Sequence, residues 1–323
     1  MIHAVNLNRE KWAWEPRSTN YYLEALRRLL GRGFPTVLVV DDFFRQRIIE
    51  PSKELGLLES VVLLKYQPAQ AVLDLATLYE AARIEDLKCL RASPDLSRPW
   101  LQRNHDWSYF ELMHSRFAIA RQVSKENPFG TRFTAQIDAG FLRATGWPVC
   151  AELHPRSSIQ MEIPQQQLRI YQVFRMSGQF PAVPNEHERF LGRITPAPIM
   201  GGLQIGDSQA WKCFADAYYK SLENWLAAGV PTLDQPMLAS LSTHQPSLFS
   251  KKNVYGPCRV AYSPYGAAIE DMYRPGWPAR SAPFKWYCSS HVLQKRLKEL
   301  VTGYAAPGVV RDRVGQFIRR NNL

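Results

Sequence analysis

The sequence predicts an α/β fold: a mixed, mostly parallel sheet flanked by helices, with a basic extension at its C-terminal end. Three observations predict it. An apolar segment, a helical repeat and a second apolar segment follow one another within the first 42 residues, the order of a strand–helix–strand unit. The second apolar segment, TVLVV at 36–40, does not alternate with polar residues, as expected of a strand buried on both faces of a parallel sheet. Basic residues gather at one end. Residues 251–323 carry 13 Lys and Arg against 4 Asp and Glu, net +9, whereas residues 1–250 carry 27 against 25, net +2.

The elements follow in order. Residues 2–7 are apolar enough for a first strand. Ser18, Thr19 and Asn20 offer an N-cap, and Tyr21, Tyr22, Leu26, Leu29 and Leu30 recur at helical spacing until Gly31 and Gly33. The strand at 36–40 ends in Asp41-Asp42. Residues 60–64 read as a further strand and 69–82 as an amphipathic helix on Val72, Leu73, Leu75, Leu78 and Tyr79. Pro94, Pro99 and Trp100 mark 93–106 as a loop. A helix over 107–123 keeps Phe110, Met113, Phe117 and Ala120 in register, and NPFG at 127–130 is a turn. TRFTAQI at 131–137 is a strand that delivers Asp138-Ala139-Gly140. Short strands are expected at 149–153, 158–163 and 170–174. Asp207 or Ser208 caps a helix to about residue 227, with Trp211, Phe214, Tyr218, Leu222 and Trp225 on one face, where core packing outweighs a sugar platform. Trp12, Trp14, Trp100, Trp107 and Trp147 stand in or near loops, where a ring has better odds of stacking on a base or sugar face, with none of the five preferred over the others. Residues 253–284 read as extended and looping, and 294–304 and 311–320 as basic stretches.

Composition removes several classes. With 46% hydrophobic, 12% aromatic and 21% charged residues in 323, the chain is globular, with room for a sizeable core. No run of 18 apolar residues exists, so no transmembrane helix is expected. Residues 1–14 lack the pattern of a signal peptide. Five scattered cysteines form no close pair, which argues against a cysteine zinc site and for a reducing, cytoplasmic setting. Walker A, GxGxxG, HExxH and GxSxG are all missing. A net charge of +11 and a pI near 9.5 suit a polyanion: nucleic acid, an anionic membrane surface or a phosphorylated substrate. The alternative is a basic surface with no specific partner.

Two constellations carry chemistry. Gly201-Gly202, followed by Gly206, suits a phosphate- or sugar-binding loop before a helix N-terminus, or else a tight turn. Asp234-Gln235 pairs a carboxylate with an amide, placed for general base work or hydroxyl binding. The competing role for Asp234 is that of a helix N-cap.

The succession of pieces resembles the HtrL/YibB-like family of bacterial proteins, regarded as sugar-transferring enzymes of the GT-A type. The matching stretches are 9–42 (REKWAWEPRSTNYYLEALRRLLGRGFPTVLVVDD), 109–140 (YFELMHSRFAIARQVSKENPFGTRFTAQIDAG) and parts of 199–249, including IMGG, WKCF, LDQPML and HQPSLF. Gln136 stands where the family has an aromatic, and GGLQIG departs from a bulkier family stretch.

The resemblance implies a GT-A-like, Rossmann-like catalytic domain over 1–250, with 251–323 as a basic extension packed on it. It implies a nucleotide-sugar donor. Asp138 would hold a divalent metal, Mn²⁺ or Mg²⁺, on the donor diphosphate, or hold ribose or sugar hydroxyls, since the motif is IDAG and not DxD. Ala139, Gly140, Gly201 and Gly202 would lie along the donor, and Arg9 and Arg17 would meet a phosphate. Asp41 and Asp42 would contact the nucleotide or cap a turn. Asp234 would be the base of an inverting enzyme or a sugar-positioning acid of a retaining one, beside Gln235. His291 is a late metal ligand or a surface histidine. The expected function is glycosyl transfer to a hydroxyl on a polyanionic acceptor, either hydroxylated bases of DNA or a lipid-linked or surface glycan. A peripheral membrane contact is an alternative use of the tail, whose arginines favour nucleic acid. A non-catalytic nucleic-acid-binding protein on the same scaffold is the second reading.

Overall fold

A computed structural model describes residues 1–4, 23, 26, 30, 35–54, 60–92, 106–138, 163–172, 199 and 201–253. These residues form a mixed α/β structure. Strands β1 (Ile2–Ala4), β2 (Thr36–Val40), β3 (Val61–Lys65), β4 (Thr134–Asp138), β5 (Leu168–Gln172), β6 (Leu203–Gly206) and β7 (Phe249–Asn253) make one seven-stranded sheet in the order β3-β2-β1-β4-β6-β5-β7. β1, β2, β3 and β4 are mutually parallel, β6 is antiparallel to both β4 and β5, and β7 is parallel to β5. The helices are α1 (Asp42–Glu54), α2 (Gln70–Leu73), α3 (Ala76–Ala92), α4 (Trp107–Glu126), α5 (Ser208–Ala227) and α6 (Asp234–His244).

Local sequence accounts for the boundaries. Asp106 starts α4 by accepting from the Tyr109 amide at 3.1 Å, and Asp207 starts α5 by accepting from Ala210 at 2.7 Å. Such caps satisfy amides that have no partner within the helix. Asn127 ends α4 in the left-handed region, φ 44°, and its side chain closes the turn through the Thr131 amide and carbonyl, both at 2.9 Å. Asn tolerates that conformation better than most residues. Gly229, φ 75°, follows α5 in the same way.

The core lies between the sheet and helices α3, α4 and α5. Phe117 of α4 meets Phe214 and Tyr218 of α5 edge-on, with ring centroids 5.2 and 4.6 Å away. Phe214 reaches Phe249 of β7. Each such fully buried aromatic contributes about 1.5–3 kcal/mol of transfer free energy. Trp211 donates its indole N–H to the Thr134 carbonyl at 3.0 Å, which ties α5 to β4.

The aromatic face of α5 is core, as expected: Trp211, Tyr218 and Trp225 are all buried. Of the five tryptophans placed in or near loops, Trp107 is the one among the described residues. It opens α4 and stacks on Phe110 and Tyr79, so its ring is committed to packing. The helix expected over 69–82 is two, α2 and α3, separated at Asp74-Leu75. The helix after Asp41, with Phe44 and Ile48 buried one turn apart, was not expected. Residues 203–206, read as part of a loop, form a buried strand. Gln136 lies within β4, opposite Gln204 of β6, and is buried, so the departure from the family pattern falls inside the sheet. β7 runs through position 250, which puts Lys251 and Lys252 in the sheet. The strand expected at 149–153 and all of that expected at 158–163 except Ile163, which is buried but not in a strand, lie outside the described residues, as does everything after residue 253. Among the described residues no helix is long and apolar enough to cross a membrane.

Candidate functional site

From β1 the chain moves outward to β2 and β3 on one side, while β4 pairs on the other. The strand order therefore reverses between β1 and β4. In an open α/β sheet the crevice at the carboxyl ends of strands at such a point is the expected ligand site. Asp138 is the last residue of β4 and sits there, in register with His3 of β1. Its amide donates to the Gly202 carbonyl at 2.9 Å. Gly201-Gly202 thus meets the end of β4 and leads into β6 beside it.

Asp234 comes to the same place from the start of α6. It is 2% exposed, and its Oδ2 is ion-paired with the guanidinium of Arg116, itself 4% exposed, on α4. Burial pushes the Asp234 carboxyl up from its ordinary range. The Arg116 charge pulls the other way, and the negative charge of Asp138 adds to the rise. Gln235 donates from Nε2 to the Ile199 carbonyl at 3.3 Å. Gly201 closes the set. A Cβ at that position would overlap Asp234 Oδ2 and come within 2.8 Å of Gln235 Cγ, so only glycine lets the loop lie on the carboxylate.

The sequence placed Asp138, Gly201, Gly202, Asp234 and Gln235 in one site, and the structure brings these five together. Two readings need correction. Gly201-Gly202 does not precede a helix N-terminus, because β6 intervenes and α5 starts at the far end of that strand. Gly206 takes no part either, as it packs on Leu168 and Ala210. Asp41 is a cap: its Oδ1 accepts from the Phe44 amide at 2.9 Å. Asp42 is exposed and pairs with Lys65 at 2.9 Å. The turn role is thus observed for Asp41, and Asp42 is tied across to β3 through Lys65. Arg9, Arg17, Ala139, Gly140 and His291 lie outside the described residues.

Arg116 was missed, and a signal for it was present. It falls on the stripe Leu112, Arg116, Ala120 and Val123, all buried. An arginine on an apolar stripe needs an anion to face it. His114 was missed as well. It is fully buried against Phe110. Its Nε2 faces the Thr232 carbonyl at 2.9 Å and its Nδ1 the Tyr218 hydroxyl at 2.7 Å. A carbonyl only accepts, so Nε2 carries the proton and Nδ1 accepts from the tyrosine. Burial lowers this histidine to about 3, and it is neutral at physiological pH.

A divalent cation prefers oxygen ligands, and Asp138 can supply one. Among the described residues no group of three or more His, Cys, Asp or Glu is placed to hold a metal ion.

No family model and no curated protein matches the chain, so the HtrL/YibB-like resemblance rests on the residues quoted for it. One similar solved structure is mouse xyloside xylosyltransferase 1 in its apo form. It is 11% identical, with 78% of this chain and 83% of that one covered, at a TM-score of 0.39.

Proposed function

We propose that this protein transfers a sugar from a nucleotide-sugar donor to a hydroxyl acceptor on a GT-A-like fold. One observation carries the reading: Asp138, Gly201-Gly202 and the Arg116–Asp234 pair converge where the strand order reverses. A bare glycine backbone suits close approach by a sugar ring. Acids at fixed positions suit its hydroxyls.

Asp234 is the acid that positions the sugar. Its Oδ2 is already engaged by the buried Arg116 guanidinium, which favours positioning over general base work. Asp138 would hold the donor's ribose or the metal. A divalent cation, when bound, would screen charge on the departing diphosphate, and Asp138 with donor oxygens would hold it. The acceptor is proposed to be polyanionic, nucleic acid before lipid-linked glycan, from the charge of residues 251–323.

The test is release of nucleoside diphosphate from a panel of nucleotide sugars, with Asp138→Ala and Asp234→Asn as controls. Turnover lost in both variants supports the site. If no donor is turned over or bound by the wild type, the transferase reading falls. Retention of duplex DNA in that event would leave a non-catalytic nucleic-acid binder.

A further inference from the structure

We infer that Tyr219 is a positioning residue for the Arg116–Asp234 pair, acting through the main chain of α4. The Tyr219 hydroxyl accepts from the Ala118 amide at 2.9 Å and donates to the His114 carbonyl at 2.8 Å. Those two groups, four residues apart, are the partners that an α-helix joins to each other. The hydroxyl of a tyrosine on α5 therefore bonds both groups of one rung of the α4 ladder. A side chain inserted there is a recognised cause of local bending. The rung spans residues 114–118, and Arg116 lies at its middle.

The neighbouring contacts give this rung its leverage. Tyr218 holds the His114 ring, and the same ring holds the Thr232 carbonyl. Thr232 stands two residues before Asp234, and Arg116 two residues after His114. Both ends of the ion pair are thus referenced to one residue, His114. Its ring is fixed by Tyr218 and its carbonyl by Tyr219. Packing alone does not require the second hydroxyl, because a phenylalanine at 219 would fill the same space, and Tyr218 already supplies the buried aromatic. What the oxygen of Tyr219 adds is the inserted rung. It sets the pitch of α4 at Arg116 and hence the reach of the guanidinium to Asp234. The site has little room for error, since Gly201 lies against the same carboxylate.

Tyr219→Phe tests this with two readouts. The first is the Arg116 Nε–H resonance in a ¹⁵N spectrum of the full chain, assigned by its loss in Arg116→Lys. The second is kcat and KM for the donor turned over by the wild type, and this arm rests on the sugar-transfer reading. In Tyr219→Phe the Arg116 resonance is expected to move while far-UV circular dichroism is unchanged. Donor kcat is expected to fall about 10- to 100-fold, the cost of roughly 1 Å of misplacement, with KM changed less than about twofold. An unmoved Arg116 resonance, or a wild-type kcat in the variant, overturns the inference. A wild type that turns over no donor defeats the transferase reading alone, and the Arg116 resonance still decides the role of Tyr219.

Discussion

Replacing Arg116 by methionine isolates the buried ion pair. Methionine keeps much of the stem and removes the charge. Arg116 and Asp234 are 4% and 2% exposed, so water cannot replace the lost partner without opening the site. Removing one member of a buried pair costs about 3–5 kcal/mol. The penalty depends on pH, and its sign follows from the carboxylate. Burial already raises Asp234, and Arg116 is the largest pull in the other direction. Without it, the folded state binds a proton that the unfolded chain has released. Stability then falls as pH rises from the unfolded carboxylate value, about 4, toward the raised native one. Urea unfolding of Arg116→Met from pH 5 to pH 8 is expected to show a deficit of about 3 kcal/mol or more at pH 8 and a smaller one at pH 5. In a double-mutant cycle with Asp234→Asn, the coupling should exceed about 1 kcal/mol. A deficit below about 1 kcal/mol at every pH would refute the pairing as the element that holds this site.

Three further outcomes are expected. Gly201→Ala should cost about 1–3 kcal/mol by overpacking and abolish donor binding in titration calorimetry, because its Cβ overlaps the Asp234 carboxylate; unaltered binding would detach the glycine loop from the site. His114 is held at about 3 in the fold, below the ordinary value near 6.5. The unfolded chain therefore gains the proton first, and stability should fall by up to about 1.4 kcal/mol per pH unit between pH 6.5 and 3. That slope, read from thermal unfolding, should flatten in His114→Gln. Duplex DNA binding by the full chain should weaken steeply from 50 to 200 mM salt. Replacing Arg311, Arg313, Arg319 and Arg320 with Gln should reduce the salt slope, and a slope of zero in the wild type would remove the phosphate contact.

The fold was legible where one physical signal dominated. The unbroken apolar run at 36–40 gave β2, and the aromatic spacing from Trp211 to Trp225 gave α5 with its buried face. The misses have causes of the same kind. Segment 203–206 reads LQIG, and the glycines before it and at its end mimic a loop. Its strand identity comes from pairing with β4 and β5, two segments distant in sequence. β7 reads FSKKN, which looks solvent-exposed until the edge position beside β5 is known. Helix α1 follows Asp41 without a pause, and a turn cap at Asp41 does not by itself announce the helix it starts.

The site was legible as residues and not as an arrangement. Asp234 illustrates why. The N-cap of α6 is Leu233 and Asp234 is the first helical residue, so the N-cap role weighed for Asp234 is not the observed one, although the backbone amides of Asp234 and Gln235 do stabilise its charge. A cap needs no arginine, however, and a solvated cap tolerates substitution nearby. Asp234 is buried, faces a guanidinium brought from α4, and excludes any side chain at position 201. Those three constraints come from three separate segments, so none of them appears as local periodicity. Burying two charges costs several kcal/mol per ion before their attraction repays it. An apolar pair would fill the same space without that cost. A chain that keeps the ion pair at the switch point of its sheet, against a bare glycine loop, has placed charge where a polar ligand is expected to arrive.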